Sequence, residues 1–134
     1  MTESNPSDTY LLDTNVFLFF INADAALSAR SRELLESAET LLISTASLWE
    51  IAIKSSLGKL ILPSSFSEFI PNQLDENAID ILPITLLHLK SLSGLPFHHK
   101  DPFDRLVIAQ SISEKLSVVS SDSAFDLYEV ERIW

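Results

Sequence analysis

Short apolar runs alternate with amphipathic segments from one end of the chain to the other. The short runs are continuously apolar, which is typical of strands that helices cover on both faces of a sheet. The longer segments carry apolar residues three and four positions apart, as helices packed on a core do. This pattern predicts strands at 10–13, 41–44, 79–82, 116–121 and 130–134, and helices at 16–22, 27–38, 45–57, 66–74, 85–92 and 102–115.

The alternation of strands and helices predicts an α/β domain with a mostly parallel sheet and right-handed crossovers. A chain of 134 residues fits one domain, which we expect to span residues 9–134 after a flexible polar tail at residues 1–8. Pro71 lies inside the fourth predicted helix, where it predicts a kink or an early end. The third predicted helix is apolar around most of its circumference, so we expect it to be buried.

Composition narrows the possible functions. Hydrophobic residues make up 46% of the chain, which excludes a disordered protein, and the absence of cysteine excludes disulfides, thiolate metal sites and thiol nucleophiles. The first residues lack a signal-peptide pattern, and the longest purely apolar run, residues 16–21, is too short to span a bilayer. We therefore expect a soluble cytoplasmic protein without a membrane partner.

The chain is strongly acidic, with 9 lysine and arginine residues, 19 aspartate and glutamate residues and a net charge of −10. A broad basic surface for nucleic acid is therefore not expected. Any activity on nucleic acid would need divalent cations or a local basic rim. A basic protein partner is equally compatible with this charge.

The stretch from Asp101 to Gln110 has the pattern of a helix start. Asp101 suits the N-cap, Pro102 suits the first helical position, and an apolar run follows. Asp101 and Asp104 are three residues apart, so both carboxylates would lie on one face of the first turn. Taken alone, the pattern favours simple capping, in which Asp104 lies near the positive end of the helix dipole, over an acidic site.

Three further acids stand where an α/β sheet usually forms its site. Asp13 and Asp122 each follow a predicted strand, and Glu50 lies one or two turns into the helix after another strand. Ligand sites of open α/β sheets lie beyond the carboxyl ends of the strands, so these acids and Asp104 are candidates for a shared site. Local explanations remain open, because Asp13 can cap a helix and Asp122 can belong to a turn. Glu50 can form a helix-surface ion pair with Lys54.

If the four carboxylates lie close together, something must offset the repulsion between their negative charges. Two like charges about 4 Å apart repel by about 4 kcal/mol at an effective dielectric near 20, whereas a whole domain has only about 5–15 kcal/mol of stability. Divalent cations are the natural compensation, and oxygen ligands select hard ions such as Mg²⁺ or Mn²⁺. Such ions activate water and neutralise a phosphodiester, which requires no serine, cysteine or histidine nucleophile.

Four motifs together resemble those of one family. Residues 11–15 read LLDTN, residues 47–54 read SLWEIAIK, residues 101–105 read DPFDR and residues 119–122 read VSSD. In this order they resemble the acidic motifs of PIN-domain ribonucleases, and most closely those of the VapC toxins of bacterial toxin–antitoxin pairs. The resemblance covers residues 10–134, and its specificity comes from four motifs in the right order within a chain of the right length.

The resemblance implies a PIN-like three-layer α/β/α sandwich with a mostly parallel central sheet. It implies an endoribonuclease that depends on Mg²⁺ or Mn²⁺ and cleaves RNA phosphodiesters with metal-activated water. It also implies the toxin of a type II toxin–antitoxin pair, which forms a homodimer and is inhibited by a small antitoxin. The C-terminal segment of the antitoxin would lie along the active-site groove.

The resemblance also assigns site residues. Asp13 and Asp104 would be the most direct metal ligands, and two more acids would complete the site directly or through water. Asp101 would cap the helix or lie outside the ligands, and Ser120 stands where the family often has a hydroxyl that supports the last acid. The implied catalytic and metal-binding centre consists of Asp13, Glu50, Asp104 and Asp122.

Basic residues near the motifs are candidates for a local rim that contacts RNA. Within this rim, Arg105 or Lys100 would direct phosphates. The loop histidines His98 and His99 precede the third motif, and we expect them to be inert. The candidate rim residues are Lys54, Lys59, Lys100 and Arg105.

Two other classes of function remain open. The first is a catalytically inactive module on the same fold that acts through protein contacts, which the presence of all four acids disfavours. The second is a phosphotransfer domain with Asp13 as acceptor. Such domains usually need a second aspartate two residues later, where this chain has Asn15.

Overall fold

Five strands form one central sheet in the computed structural model, which describes residues 8–134. The order across the sheet is β3-β2-β1-β4-β5, and every neighbouring pair is parallel. The central strand, β1, therefore has the carboxyl ends of β2 and β4 on either side of its own. The strands are β1 (Thr9–Leu12), β2 (Thr40–Ser44), β3 (Ile79–Leu82), β4 (Ser117–Val119) and β5 (Arg132–Ile133).

In the described part of the chain, six α-helices connect and cover the strands, and a short 3₁₀ helix, Ser123–Leu127, follows β4. Each predicted strand and helix is present, with ends that differ from the prediction by a few residues. Within residues 8–134, no helix has both the length and the apolar content needed to cross a bilayer. The predicted tail lies outside the described residues except for Asp8. The helices are α1 (Thr14–Ile21), α2 (Ala29–Ser37), α3 (Thr45–Ser56), α4 (Phe66–Glu76), α5 (Leu86–Ser93) and α6 (Pro102–Glu114).

The sheet separates two hydrophobic cores, because successive strand residues point to opposite faces. On one face, Tyr10 and Leu12 of β1 pack with buried residues of α1, α2, α3 and α4. On the other face, Leu11 packs with buried residues of α6 and with the partly buried Leu92 of α5. These layers confirm the predicted α/β/α sandwich.

Polar residues at the junctions fix where three helices begin. The side chains of Asp13, Ser44 and Asp101 accept hydrogen bonds from backbone N–H groups in the first turns of α1, α3 and α6. Helices α1 and α3 follow β1 and β2 directly, so their first turns lie at the carboxyl edge of the sheet. This edge is where the predicted acids were expected to meet.

Helix α3 is less buried than its composition predicts. Glu50 and Ile51 lie on its buried face, whereas the Trp49 and Ile53 side chains are exposed. Leu57, the residue after the helix, is also exposed. The expectation of a buried helix is therefore correct for one face only, because α3 packs against α1, α6 and β2 and these leave the other face uncovered. Apolar composition alone does not reveal which faces a neighbouring element covers.

Of the two effects expected of Pro71, a kink or an early end, the early end is wrong, because α4 continues through this residue to Glu76. Pro71 removes one backbone donor from the helix. However, Pro71 faces solvent, while the adjacent Ile70 is buried in the core. Packing of the buried face therefore stabilises the helix across the proline.

Candidate functional site

The first acid, Asp13, follows the central strand and caps the next helix. Its Oδ1 accepts a hydrogen bond of 2.7 Å from the Val16 N–H, and its own N–H donates to the Val119 carbonyl oxygen at 3.1 Å. The residue is buried. The capping explanation is therefore correct, and it does not compete with a functional one, because the cap holds the carboxylate at the edge of the sheet.

The second acid, Glu50, is buried on α3 with both carboxylate oxygens engaged. The Thr14 hydroxyl donates to Oε1 at 2.8 Å, and the Lys54 ammonium donates to Oε2 at 2.7 Å. The predicted ion pair with Lys54 is therefore present. Thr14 was missed from the sequence, although its place directly after the first acid was a usable signal.

The two acids of the third motif, Asp101 and Asp104, make different contacts. Asp101 is the N-cap of α6, because its Oδ1 accepts from the N–H groups of Phe103 at 2.8 Å and of Asp104 at 3.1 Å. The Asp104 carboxylate takes no part in this cap, and its Oδ2 lies 3.1 Å from Nε2 of His99. Capping therefore explains Asp101 and leaves Asp104 available for a site.

The fourth acid, Asp122, is held by the turn after β4. Its Oδ1 accepts from the Ala124 N–H at 3.0 Å, and its N–H donates to the Ser120 hydroxyl at 3.0 Å. Its Oδ2 lies 3.1 Å from Nε2 of His99. The Ser120 hydroxyl thus contacts the backbone amide of the last acid, and its support of the carboxylate of that acid stays a prediction.

Burial raises the pKa of Asp13 from 3.8 to about 6. Hydrogen bonds from the Ser120 side chain and from the Val16 amide lower this pKa, but by less than burial raises it. The negative charges of Asp122 and Glu50 raise it further. Asp13 therefore lies within the electrostatic range of two of the other predicted acids.

Burial likewise raises the pKa of Asp104 from 3.8 to about 7. The charge of Asp101 is the next cause of this increase, and the His99 ring opposes it. The charges of Asp13 and Glu50 raise the pKa further. Asp104 is thus electrostatically coupled to the acids after β1 and on α3.

Asp13 therefore lies within the electrostatic range of the three other predicted acids near the carboxyl edge of the sheet, and we call the four of them the acid cluster. The cluster fits a hard divalent cation, because carboxylate oxygens are the ligands that such ions prefer. A bound cation would also relieve the repulsion and the cost of burial that raise two of the pKa values. The acid cluster consists of Asp13, Glu50, Asp104 and Asp122.

His99 lies inside this site, contrary to the expectation that the loop histidines are inert. One ligand-type atom each of His99, Asp104 and Asp122 lies within 4.8 Å of the other two. The neighbouring His98 is exposed and packs its ring against Tyr128, with 5.2 Å between ring centroids. The sequence did not separate the two histidines, because the conformation of the loop decides which ring faces the acids.

Arg105 is not part of an exposed basic rim, so that expectation is wrong. Its guanidinium is buried, donates to the Pro96 carbonyl oxygen at 2.8 Å and stacks on the Phe97 ring at 4.2 Å. The side chain therefore fastens the loop before α6 onto that helix. The other candidate rim residues, Lys54, Lys59 and Lys100, are exposed.

Most of the chain is similar to known proteins, both in sequence and in fold. The sequence profile of the PIN domain family matches residues 10–131. A comparison with curated proteins finds no match. Among solved structures, this fold is similar to VapBC2 from Rickettsia felis bound to a DNA fragment from their promoter. That similarity has a TM-score of 0.66 and 20% identity, and it covers 93% of this chain and 97% of the other.

Two further structures share the fold. DNA-bound VapBC from Salmonella typhimurium has a TM-score of 0.66 and 17% identity, with 93% of this chain and 96% of the other covered. A toxin–antitoxin complex from Klebsiella pneumoniae has a TM-score of 0.59 and 15% identity, with the same coverage of 93% and 96%. The profile match confirms the resemblance seen in the four motifs, and the chain belongs to the PIN domain family.

Proposed function

We propose that this protein is an endoribonuclease that requires Mg²⁺ or Mn²⁺ and acts as the toxin of a type II toxin–antitoxin pair. The observation that carries the proposal is the acid cluster, in which burial and crowding raise the pKa of Asp13 to about 6 and that of Asp104 to about 7. A folded domain keeps such a costly arrangement where a cation compensates for it. Membership of the PIN domain family supports the same conclusion.

The proposal assigns Asp13 and Asp104 as direct ligands of the cation, and Glu50 and Asp122 as the residues that complete the site. When bound, the cation supplies an activated water and neutralises the phosphodiester that is cleaved. Because all four residues offer carboxylate oxygens, we assign Mg²⁺ or Mn²⁺ to this site.

Other residues of the chain hold the acids in place. The Val16 N–H fixes one oxygen of Asp13 at 2.7 Å. Thr14 and Lys54 fix the two oxygens of Glu50 at 2.8 and 2.7 Å. Such fixed carboxylates need little rearrangement when a cation and a phosphodiester arrive, which is how a preorganised site lowers a reaction barrier.

The test is cleavage of RNA by the purified protein with Mg²⁺ or Mn²⁺, with and without EDTA. We expect cleavage only with a free cation, and its loss in Asp13→Asn and Asp104→Asn. Asp80→Asn, which changes an exposed carboxylate on the edge strand β3, is the matched control and keeps activity. Full cleavage by either site variant, or in EDTA, rejects the proposal. RNA left intact with both cations favours the inactive protein-interaction module.

We further propose that its partners in the cytoplasm are a small antitoxin and a second copy of the chain. The similar folds occur in VapBC complexes and in a toxin–antitoxin complex. The net charge of −10 suits a basic antitoxin segment. Exposed apolar side chains are available for contacts with partners. The most exposed of them belong to Leu57, Ile61, Leu86, Leu87, Phe97 and Leu127.

Expression in bacteria tests the toxin role. We expect growth arrest with the wild-type chain and normal growth with Asp104→Asn at an equal protein level. Coexpression of a short protein encoded beside this gene should restore growth and copurify with the wild-type chain. Light scattering should give the mass of a dimer. Unimpaired growth with abundant wild-type protein rejects the toxin role, and a monomer mass rejects the homodimer.

A further inference from the structure

An exposed aromatic side chain, Trp49, lies one residue before Glu50 on α3. Trp49 is 53% exposed, although its ring packs against the Phe103 ring of α6 with 5.1 Å between ring centroids. Phe103 in turn directly precedes Asp104. The aromatic pair therefore joins α3 and α6 at the positions next to two members of the acid cluster.

The geometry of this pair leaves the indole open on one side. The two ring planes are almost perpendicular, at 89°, and a perpendicular neighbour covers at most one face of an indole. Phe103 is partly buried, and its N–H donates to the Asp101 carboxylate at 2.8 Å, so this neighbour is fixed at the start of α6. A ring that is held in place and half exposed can bind a flat group with little loss of side-chain entropy.

The charge of the chain favours such a contact for a nucleic acid ligand. Proteins usually gain most of their affinity for nucleic acid from lysine and arginine contacts with phosphates. This chain has a net charge of −10, and the Lys54 ammonium already pairs with the Glu50 carboxylate at 2.7 Å. Stacking of a base on an aromatic side chain needs no positive charge, so it can supply affinity that phosphate contacts do not.

We propose that Trp49 is a substrate-binding residue that stacks on an unpaired RNA base beside the acid cluster, with Phe103 as the support of the indole. This inference rests on the proposed ribonuclease function and adds a residue that holds its substrate. Bases inside a duplex already stack on both faces, so the contact requires an unpaired base. Every base has a π-face, so the contact tolerates different sequences.

The exposed apolar residues that follow Trp49 have a different chemistry. Ile53 and Leu57 are also exposed, but their aliphatic side chains offer no aromatic face to a base. Such side chains suit contacts with a protein partner. Leu57, which is 62% exposed, is therefore a matched control that separates base stacking from a general apolar contact.

Fluorescence of the full chain in EDTA, with octaadenylate as the RNA, measures the contact without cleavage. The chain has two tryptophans, so Trp134→Phe leaves Trp49 as the only emitter, and we expect octaadenylate to quench this emission. Anisotropy of dye-labelled octaadenylate gives its affinity for each variant. Trp49→Ala should weaken binding by about 5- to 150-fold, which is the usual effect of removing one stacking ring.

Conservative variants separate stacking from packing. Trp49→Phe should recover most of the affinity for octaadenylate, because it keeps an aromatic face. Trp49→Leu keeps apolar packing against Phe103 without that face, so it should bind as weakly as Trp49→Ala. Leu57→Ala should bind as the wild type does.

An abasic oligonucleotide of the same length provides a second comparison, because it keeps the phosphates and lacks the bases. The wild type should bind this oligonucleotide much more weakly than octaadenylate. Trp49→Ala should distinguish the two far less, since the partner of the base is already absent. This double comparison measures the coupling between the ring and the bases.

The results that overturn the proposal are equally specific. They are unquenched emission, equal affinity of the wild type and Trp49→Ala for octaadenylate, or full recovery in Trp49→Leu. An equal loss of affinity in Leu57→Ala and Trp49→Ala also overturns it. A mass that falls from dimer to monomer in Trp49→Ala, with unchanged affinity for octaadenylate, assigns the ring to a protein interface instead.

The proposed ribonuclease and the role of Trp49 fail in different ways. A chain that binds octaadenylate with the expected pattern but leaves RNA intact with Mg²⁺ and with Mn²⁺ rejects the ribonuclease and keeps the stacking contact. A chain that cleaves RNA with the same KM in Trp49→Ala as in the wild type keeps the ribonuclease and rejects the contact.

Discussion

Replacing Asp104 by asparagine should stabilise the metal-free protein at alkaline pH while abolishing its response to metal. The pKa of Asp104 is raised from 3.8 to about 7, mainly by burial and then by the charge of Asp101. An acid whose pKa is raised by folding contributes stability below its unfolded pKa and loses that contribution as the pH rises through the folded pKa. The penalty therefore develops between about pH 4 and pH 7 and is complete near pH 8.

The size of this penalty follows from the pKa. Each pKa unit corresponds to about 1.4 kcal/mol, so the charged form of Asp104 costs the folded protein at most about 4 kcal/mol. The side chain keeps 23% of its exposure, so water screens part of this cost. We therefore expect Asp104→Asn to raise the free energy of unfolding of the metal-free protein by about 2–4 kcal/mol at pH 8. The asparagine side chain has nearly the shape of the aspartate it replaces, so little else is lost.

Thermal unfolding in EDTA measures the effect. At about 3 °C per kcal/mol for a chain of this length, Asp104→Asn should melt about 6–12 °C above the wild type at pH 8. The difference in Tm should shrink towards zero near pH 4, where Asp104 of the folded wild type is neutral, as the asparagine of the variant is at every pH. Excess Mn²⁺ at pH 8 should raise the Tm of the wild type and leave that of the variant unchanged.

Asp80→Asn is the control, because its carboxylate is exposed on an edge strand and its loss should change stability by less than about 0.5 kcal/mol. A variant at position 104 that melts at or below the wild type at pH 8 would refute the reasoning. An equal gain at pH 4 and pH 8 would refute it as well, since the penalty would then not come from ionisation.

Three further substitutions test the packing that holds the site. Pro71→Ala should raise the free energy of unfolding by about 1–3 kcal/mol in urea denaturation, because it restores a backbone donor on the exposed side of α4. Phe17→Ala should lower it by about 3–5 kcal/mol, since the ring is fully buried in the core beside β1. Arg105→Lys should accelerate amide hydrogen exchange in residues 95–99, because lysine cannot reproduce the donors and stacking of the guanidinium; an unchanged exchange rate would contradict this role.

Several features of the fold follow from local patterns in the sequence. The apolar run at β1 ends in Asp13, and the same carboxylate caps α1, so strand end, helix start and acid position are fixed within a few residues. The DPFDR stretch behaves likewise, since Asp101 caps α6 and Pro102 occupies its first position. These predictions are accurate because capping and strand periodicity depend on neighbours that are adjacent along the chain.

The exposed face of α3 shows where local patterns stop being sufficient. Trp49 and Ile53 have the hydrophobicity of core residues but remain exposed, even though the Trp49 ring packs edge-on against Phe103 of α6 with 5.1 Å between ring centroids. Arg105 shows the converse, since a residue expected at the surface is buried under a loop. Burial depends on which layer packs over a helix, and hydrophobicity does not encode this.

The sequence by itself determined the α/β alternation, the caps, and the four acids that a parallel sheet collects at its carboxyl edge. Only the tertiary structure decided that His99, and not His98, faces the acids. Its position depends on contacts with Tyr128 and Asp122, which lie 29 and 23 residues away along the chain. Contacts between distant residues form only when the whole chain is folded, so no pattern of neighbouring residues could specify this part of the site.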